Sequence, residues 1–463
     1  MQKFIILHSN DIHGRIDGLA RIATLVERVR AENPDRTVLY LDAGDSEETS
    51  IRLSNLTKGV AMYRLLRVAG CAVAAIGNGG LPRYSHYILP AYARAAGFPL
   101  LLGNLRNPDG SLLDGVQATT ILNVGTLKLG IIGVTAPTLG GEPIYEDFGL
   151  SSLSVVPLVR EMATELRQQG ADVVILLSHL GLPEDVMVSL EARDMFPLIV
   201  GAHTHNLIPA GVWTGKTLIA QAGEFAEHIG RLDLAWDGEQ LQVERVSVIP
   251  VAEDIPPAPR VQAERAVIEA EIEQLLDSRT GELAEPLDLA DERECNAANL
   301  MADALRERMG AEVGLVTAGI AFEGPLLAGP LTRMALWEVC PSPANPGVVE
   351  MTGEQLLSLV SRGLDPVFAA QCPRSHRGRA RGLMHLSGAS MRAGQLYIGA
   401  HPVEPARVYK VAGSDWELDR YGGYVEAAWE LKPTYEIQTI MRDVVEDYLK
   451  GKPPVAVEMG RLG

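Results

Sequence analysis

From residue 3 to about 250, short apolar runs alternate with segments whose apolar residues recur at helical spacing. The runs at 3 to 8, 37 to 42, 72 to 76, 129 to 134, 172 to 177 and 197 to 201 are strand-sized and rich in aliphatic side chains, so they predict strands. Val-Val-Ile-Leu-Leu at 173 to 177 shows no polar alternation, as expected of a strand covered on both faces. Between the runs, Leu19, Ile22, Leu25, Val26 and Val29 share one helical face, and Val155, Leu158, Val159, Met162 and Leu166 share another. The alternation predicts a layered α/β domain over residues 1–250.

Residues 251 to 260 read Val-Ala-Glu-Asp-Ile-Pro-Pro-Ala-Pro-Arg, a proline cluster that stops regular structure. A charged amphipathic helix over 261–277 follows, and mixed helices and strands run from about 290 onward. The expected organisation is a first domain at 1–250, a linker with a helix at 251–290, and a smaller α+β domain at 291–463. The total of 463 residues is enough for two domains with separate cores.

Charge narrows the partners. With 41 Lys and Arg against 59 Asp and Glu, the net charge of −18 disfavours long nucleic acids and anionic membranes. A small phosphorylated ligand is compatible with it, because a bound divalent cation inverts the local field. No apolar run reaches the ~18 residues of a membrane span. The stretch before His8 is too short for a signal-peptide core, and the expected localisation is cytoplasmic. Cys71, Cys295, Cys340 and Cys372 lie far apart, without the paired spacing of a zinc knuckle or a disulfide framework.

The chemistry-bearing residues sit just past the predicted strands, where open α/β sheets place their ligands. Asp11 and His13 follow the first strand in Asn-Asp-Ile-His-Gly, and Asp45 follows the second in Leu-Asp-Ala-Gly-Asp. Asn78 follows the third, His179 ends the 173 to 179 segment, and His203 and His205 stand in Gly-Ala-His-Thr-His-Asn. In extended backbone, Asp-x-His and His-x-His each direct both side chains to one side, where they can chelate one ion. Either pair alone is a weak signal, since loop aspartates and histidines commonly bond backbone. All of them in order at strand ends suit two divalent ions sharing a carboxylate.

On these motifs the first 250 residues resemble a calcineurin-like metallophosphoesterase, and the whole chain resembles the two-domain 5'-nucleotidase family. The resemblance implies a four-layer α/β/β/α sandwich followed by a smaller α+β domain that selects substrate. It implies two divalent ions, of manganese, zinc, iron or cobalt. Asp11, His13, Asp45 and His205 would hold one, Asp45, Asn78, His179 and His203 the other, with Asp45 bridging. The implied activity is hydrolysis of nucleotides or related small phosphoesters. A non-catalytic nucleotide- or metal-binding descendant is the alternative.

The departures are specific. The family's Gly-Asn-His-Glu is here Gly77-Asn78-Gly79-Gly80, without the histidine that assists the leaving group, and His86 downstream is the candidate replacement. Asn299-Leu-Met-Ala-Asp303-Ala resembles the family's G-N-L-x-x-D-A stretch, and Thr352 stands where a helix cap is expected. The family's N-x-G-G-I-R arginine is absent from Thr317 to Phe322, one base-stacking ring falls at Leu383, and Trp416, before Gly422-Gly423-Tyr424, is the candidate for the other. Arg374, His376, Arg377, Arg379 and Arg381 form a basic run, from which Arg374 and Arg377 are candidate phosphate contacts and a solvated loop is the simpler reading.

Overall fold

The apolar runs of the first unit form two six-stranded sheets. A computed structural model describes every residue except 140, 141, 144, 146–148, 194 and 374–378. In the first sheet the order is Leu241–Pro250, His228–Trp236, Gln2–Ser9, Thr37–Asp42, Val73–Ala75 and Leu100–Leu101, with the last four parallel. In the second it is Val212–Thr214, Thr217–Ala220, Leu198–Val200, Val173–His179, Leu127–Thr135 and Thr119–Val124, with the middle four parallel.

Side-chain alternation explains the layering. Phe4 and Ile6 of one sheet and Leu129, Ile131, Val173, Ile175 and Leu177 of the other fill an apolar layer between the sheets. The intervening Ile132, Val134, Val174 and Leu176 meet Val159, Met162 and Leu166 of helix Val155–Gln168 and Val188 of helix Leu182–Glu191. These strands have no polar face because both faces are covered. Helix Ile16–Glu32 packs on Thr37–Asp42 and on helix Val60–Ala69, completing an α/β/β/α order.

The chain divides at Ile272/Glu273, inside helix Pro259–Leu276 and inside the stretch expected to link two domains. Most of that helix is tied to the first unit: Arg265 pairs with Asp17 at 2.8 Å, and Glu264 and Glu271 pair with Arg64 at 2.7 and 2.6 Å. The second unit begins earlier than the sequence suggests, because strand Arg279–Leu283 pairs with Gly329–Thr332. Among the described residues no helix is long and apolar enough to cross a membrane. Cys71, Cys295 and Cys340 are buried free thiols, and Cys372 is exposed.

In the second unit a five-stranded sheet runs in the order Met384–Ser387, Val313–Thr317, Val408–Ser414, Pro346–Thr352 and Thr434–Tyr435. Helix Asn296–Arg308 contributes Leu300, Met301 and Leu305 to one apolar cluster, and helix Gly353–Gly363 contributes Leu356, Leu359 and Val360 to another. Thr352 caps the latter in a reciprocal box with Gln355, as its position predicts. The Asn299 and Asp303 motif holds down the C-terminal segment: Asn299 Nδ2 donates to the Glu458 carbonyl, and Asp303 takes a two-pronged bond from Arg461 at 2.8 and 2.9 Å.

His385 gives this unit a pH dependence. Its Nδ1 lies 3.0 Å from the Leu383 carbonyl and its Nε2 accepts the Cys295 amide at 2.9 Å, an arrangement that requires the neutral ring. Burial pushes its pKa down to about 4. Between pH ~6.5 and 4 the unfolded chain takes up a proton that the folded chain refuses, so stability falls as pH falls, at about 1.4 kcal/mol per pH unit. From pH 7 to 5, His385→Gln is expected to lose about 2 kcal/mol less unfolding free energy than the parent protein, as measured by denaturant titration. Equal losses would show that His385 is not the responsible group.

Candidate metal centre

The parallel strands of both sheets end on one edge, and the loops that leave them carry the donors. Those loops are zipped together by backbone: the Asp11 amide donates to the Gly44 carbonyl at 2.9 Å, the His13 amide to Asp45 at 2.9 Å, and the Phe225 amide to Asp11 at 2.8 Å. Asp11, His13, Asp45, His203 and His205 all have φ between 46° and 73°. Five non-glycine residues held in left-handed backbone cost free energy that the surrounding bonds must offset, and such strain concentrates at functional sites. Gly44 has φ +104°, and a Cβ there would lie 2.7 Å from His179 Nδ1, so the loop before Asp45 needs glycine.

Donor atoms converge in two groups, Asp11 with His13 and His205, and Asp11 with Asp45 and His179, each within 4.8 Å. His13 Nε2 and His205 Nε2 are 3.3 Å apart, and His205 Nε2 is 3.4 Å from Asp11 Oδ1. His179 Nε2 lies 3.3 Å from Asp45 Oδ2 and 3.1 Å from Asn78 Oδ1, and the His203 ring centroid is 5.3 Å from that of His179. All seven sequence candidates therefore meet at one edge. Asp11 belongs to both three-donor groups, a sharing that the family resemblance assigns to Asp45. Nitrogen and oxygen donors in these numbers, with Asp11, Asp45 and His179 at 5% exposure or less, fit borderline divalent ions.

The electrostatics follow from burial and pairing. Burial alone would raise the Asp45 carboxyl, yet His179 and His13 hold it well below the carboxylate range. Burial likewise opposes charge on His179, and the Asp45 and Asp11 carboxylates overcome it to raise its pKa to about 10. Burial and the neighbouring His179 lower His203.

Several supporting residues escaped the sequence reading. Asn10 Nδ2 orients Asp11 Oδ2 at 2.7 Å and bonds the Gly223 carbonyl at 2.6 Å, while its Oδ1 accepts the Ala222 amide. His205 Nδ1 meets Glu224 Oε2 at 2.5 Å, and His179 Nδ1 meets the Ala43 carbonyl at 2.8 Å. Such partners fix ring orientation and ligand basicity. Asn10 is adjacent to Asp11 in the motif and was legible in principle. Glu224 carries no sequence signal.

The Gly79-Gly80 departure has a structural counterpart. The Gly79 amide donates to Asp45 Oδ1 at 2.8 Å, and a Cβ on Gly80 would collide with Glu47 Oε1. Glu47, 5% exposed, gives its other oxygen to the Tyr63 hydroxyl, and burial together with Asp45 raises its pKa to about 7. Gly80→Ala is expected to destabilise the unit by about 1–3 kcal/mol through overpacking. Glu47→Ala in the same chain should restore the room, so the double variant is less destabilised than the sum of the singles. Additive values from urea titration would refute this steric pairing.

His86 lies in the short turn His86–Ile88, its ring tilted against that of Tyr87 with centroids 4.1 Å apart, and no described bond ties it to the donor edge. Arg379 pairs with Glu323 at 3.1 Å, and Arg381 is 7% exposed, its guanidinium 4.4 Å over Phe368 and bonded to the Gly422 carbonyl. Arg381 is thus an internal strut, and Arg379 is a half-buried partner of Glu323. Arg374 and Arg377 lie outside the described residues. Trp416 packs partly buried against the second unit's core. The segments 317 to 322, 379 to 383 and 416 to 424 do meet: the Ala318 amide bonds the Leu383 carbonyl, Gly319 bonds Arg381, and Thr317 bonds Glu417.

The α/β/β/α order and the donor-bearing strand ends give the first unit the architecture that its resemblance to the metallophosphoesterases implies. Residues 279–428 match the family model of the 5'-nucleotidase C-terminal domain. The chain is 26% identical over 452 residues to the uncharacterized metallophosphoesterase YunD of Bacillus subtilis, covering 96% of each. It is 26% identical over 347 residues to the snake venom 5'-nucleotidase of Naja atra, covering 65% of this chain and 64% of that one. Its fold is similar to that of the 5'-nucleotidase precursor from Thermus thermophilus, with a TM-score of 0.58 and 20% identity over 99% of each chain. The Haemophilus influenzae NAD nucleotidase gives a TM-score of 0.66 at 14% identity, over 99% of this chain and 98% of that one.

Proposed function

We propose that this chain is a dimetal phosphohydrolase acting on nucleotides or related small phosphoesters. The convergence of Asp11, His13, Asp45, Asn78, His179, His203 and His205 at one sheet edge carries the reading. Asp11, His13, Asp45 and His205 would hold one ion and Asp45, Asn78, His179 and His203 the other, with manganese, zinc, iron or cobalt suited to the donor types. Bound ions there would supply Lewis-acid activation of the phosphoryl group and of water. The chain's own part is to hold the donors in place. Asn10 and the His203 amide orient Asp11, the Gly79 amide orients Asp45, and Glu224 and the Ala43 carbonyl orient His205 and His179. Arg15, whose guanidinium lies 4.5 Å over the Phe225 ring beside His13, is a positive charge at the same edge.

The names of the relatives support a nucleotide as substrate, among them the venom 5'-nucleotidase and an apyrase of Anopheles gambiae that is 25% identical over 417 residues. Gly79 favours the second reading, a descendant that binds without turnover, because no side chain there can donate a proton. A panel of nucleotides, aryl phosphates and phosphodiesters, assayed with each of the four metals, separates the two. Hydrolysis that EDTA abolishes and metal restores supports the enzyme, and binding without turnover across the panel supports the alternative.

A further inference from the structure

We propose that the second unit holds a separate binding site for a phosphate group, in a cavity of about 370 Å³ beside Arg306, Arg392 and Gly388. The volume is at the small end of ligand sites, which span roughly 300–1,000 Å³. The polar network around it leaves positive charge unspent. Arg461 takes both oxygens of Asp303, and the Ser387 hydroxyl donates to Asp303 Oδ1 at 2.5 Å. Both oxygens of Asp303 are thereby engaged by Arg461 and Ser387.

Arg306 reaches this network through one atom: its Nε donates to Ser387 Oγ at 2.8 Å. Among the described residues its two terminal amino groups have no acceptor and no carboxylate within ion-pair distance. The contact through Nε constrains the guanidinium of Arg306, which lines the cavity, and leaves its two terminal amino groups, the pair of donors suited to a two-pronged oxyanion contact, uncommitted. Gly388 makes this placement possible. Its φ is +71°, and a Cβ there would come within 2.9 Å of Arg306 Cδ. Arg392 approaches the same cavity, its Nε on Ser390 Oγ at 3.2 Å, one terminal nitrogen on the Gly399 carbonyl at 3.3 Å, and its guanidinium 5.0 Å over the Tyr397 ring. It too meets no carboxylate among the described residues. Glu458, exposed at the rim, is the one acidic side chain of the lining besides Asp303. Two oriented guanidiniums free of acid partners, in a chain of net charge −18, define a local anion site.

A phosphate group reaches such a cavity either as inorganic phosphate or on a small phosphorylated metabolite. Titration calorimetry of the metal-loaded protein with inorganic phosphate and with methylphosphonate, at constant ionic strength, distinguishes these sources. Binding of inorganic phosphate alone assigns free phosphate, and binding of both assigns a phosphoryl group. Relative to the parent protein, Arg306→Gln and Arg392→Gln should each weaken one phosphate site by about tenfold or more, and the double variant should lack that site whatever the metal centre itself binds. Arg392 is exposed, so its variant tests the site without disturbing the Ser387 and Asp303 network. Unchanged number and affinity of phosphate sites in Arg392→Gln and the double variant, or no site beyond the metal centre in the parent protein, would overturn the proposal.

Discussion

Asp45→Ala is expected to strip the protein of its divalent metal and to lower phosphoester kcat/KM by on the order of 10³-fold or more, the loss of several kcal/mol of metal-borne stabilisation. Asp45 is the carboxylate that the resemblance places between the ions, it is 5% exposed, and its two oxygens face His179 and the Gly79 amide. The two nearest acids in sequence are otherwise engaged: Asp42 is held by Ser9 and Ser46 at 2.6 and 2.9 Å, and Glu47 is turned toward Gly80. Metal content by mass spectrometry and kcat/KM on p-nitrophenyl phosphate are the readouts. Asp11→Ala should do the same, since Asp11 belongs to both donor groups. A variant at either position with full metal content and full rate would remove that carboxylate from the centre.

Hydrolysis should depend steeply on the leaving group. The position that faces the departing oxygen in the resembling family is Gly79, whose only polar contribution is an amide already spent on Asp45. Loss of one general acid costs about 10²- to 10⁴-fold, so nucleoside monophosphates should turn over slower than activated aryl phosphates by about that factor. Gly79 has φ −71°, which any residue adopts, but a Cβ there would lie 3.1 and 3.2 Å from the two Asp45 carboxyl oxygens. Gly79→His is therefore expected to press on Asp45 and weaken metal retention rather than restore monophosphate hydrolysis. If the unmodified protein cleaves AMP as fast as p-nitrophenyl phosphate, the missing histidine is of no consequence. If His86→Ala slows AMP selectively, the proton comes from His86 after all.

What could be read from the sequence is what is local. Each donor follows a strand by a few residues, so finding the strands was enough to place Asp11, Asp45, Asn78, His179 and His203 at one edge. What could not be read depends on contacts between distant segments. Glu47 and Gly80 are complementary in shape across 33 residues, and neither type signals the other. Arg381 reads as part of a solvated basic run, yet Phe368 and Tyr424 are folded around it and make it internal. The Asn299 and Asp303 motif was visible, but its partners, the Glu458 carbonyl and Arg461, lie more than 150 residues away. The proline cluster at 251 to 260 marks a boundary in composition, whereas the compact units part within the helix after it, because Arg64 and Asp17 hold most of that helix to the first unit.

Whether these strand ends hold a pair of ions can be read by titrating the EDTA-treated protein with Mn²⁺ and recording its electron paramagnetic resonance. The expected result is two ions per chain and the spectrum of an exchange-coupled pair, lost in Asp45→Ala. A single uncoupled ion, or no ion retained at micromolar concentration, would contradict it.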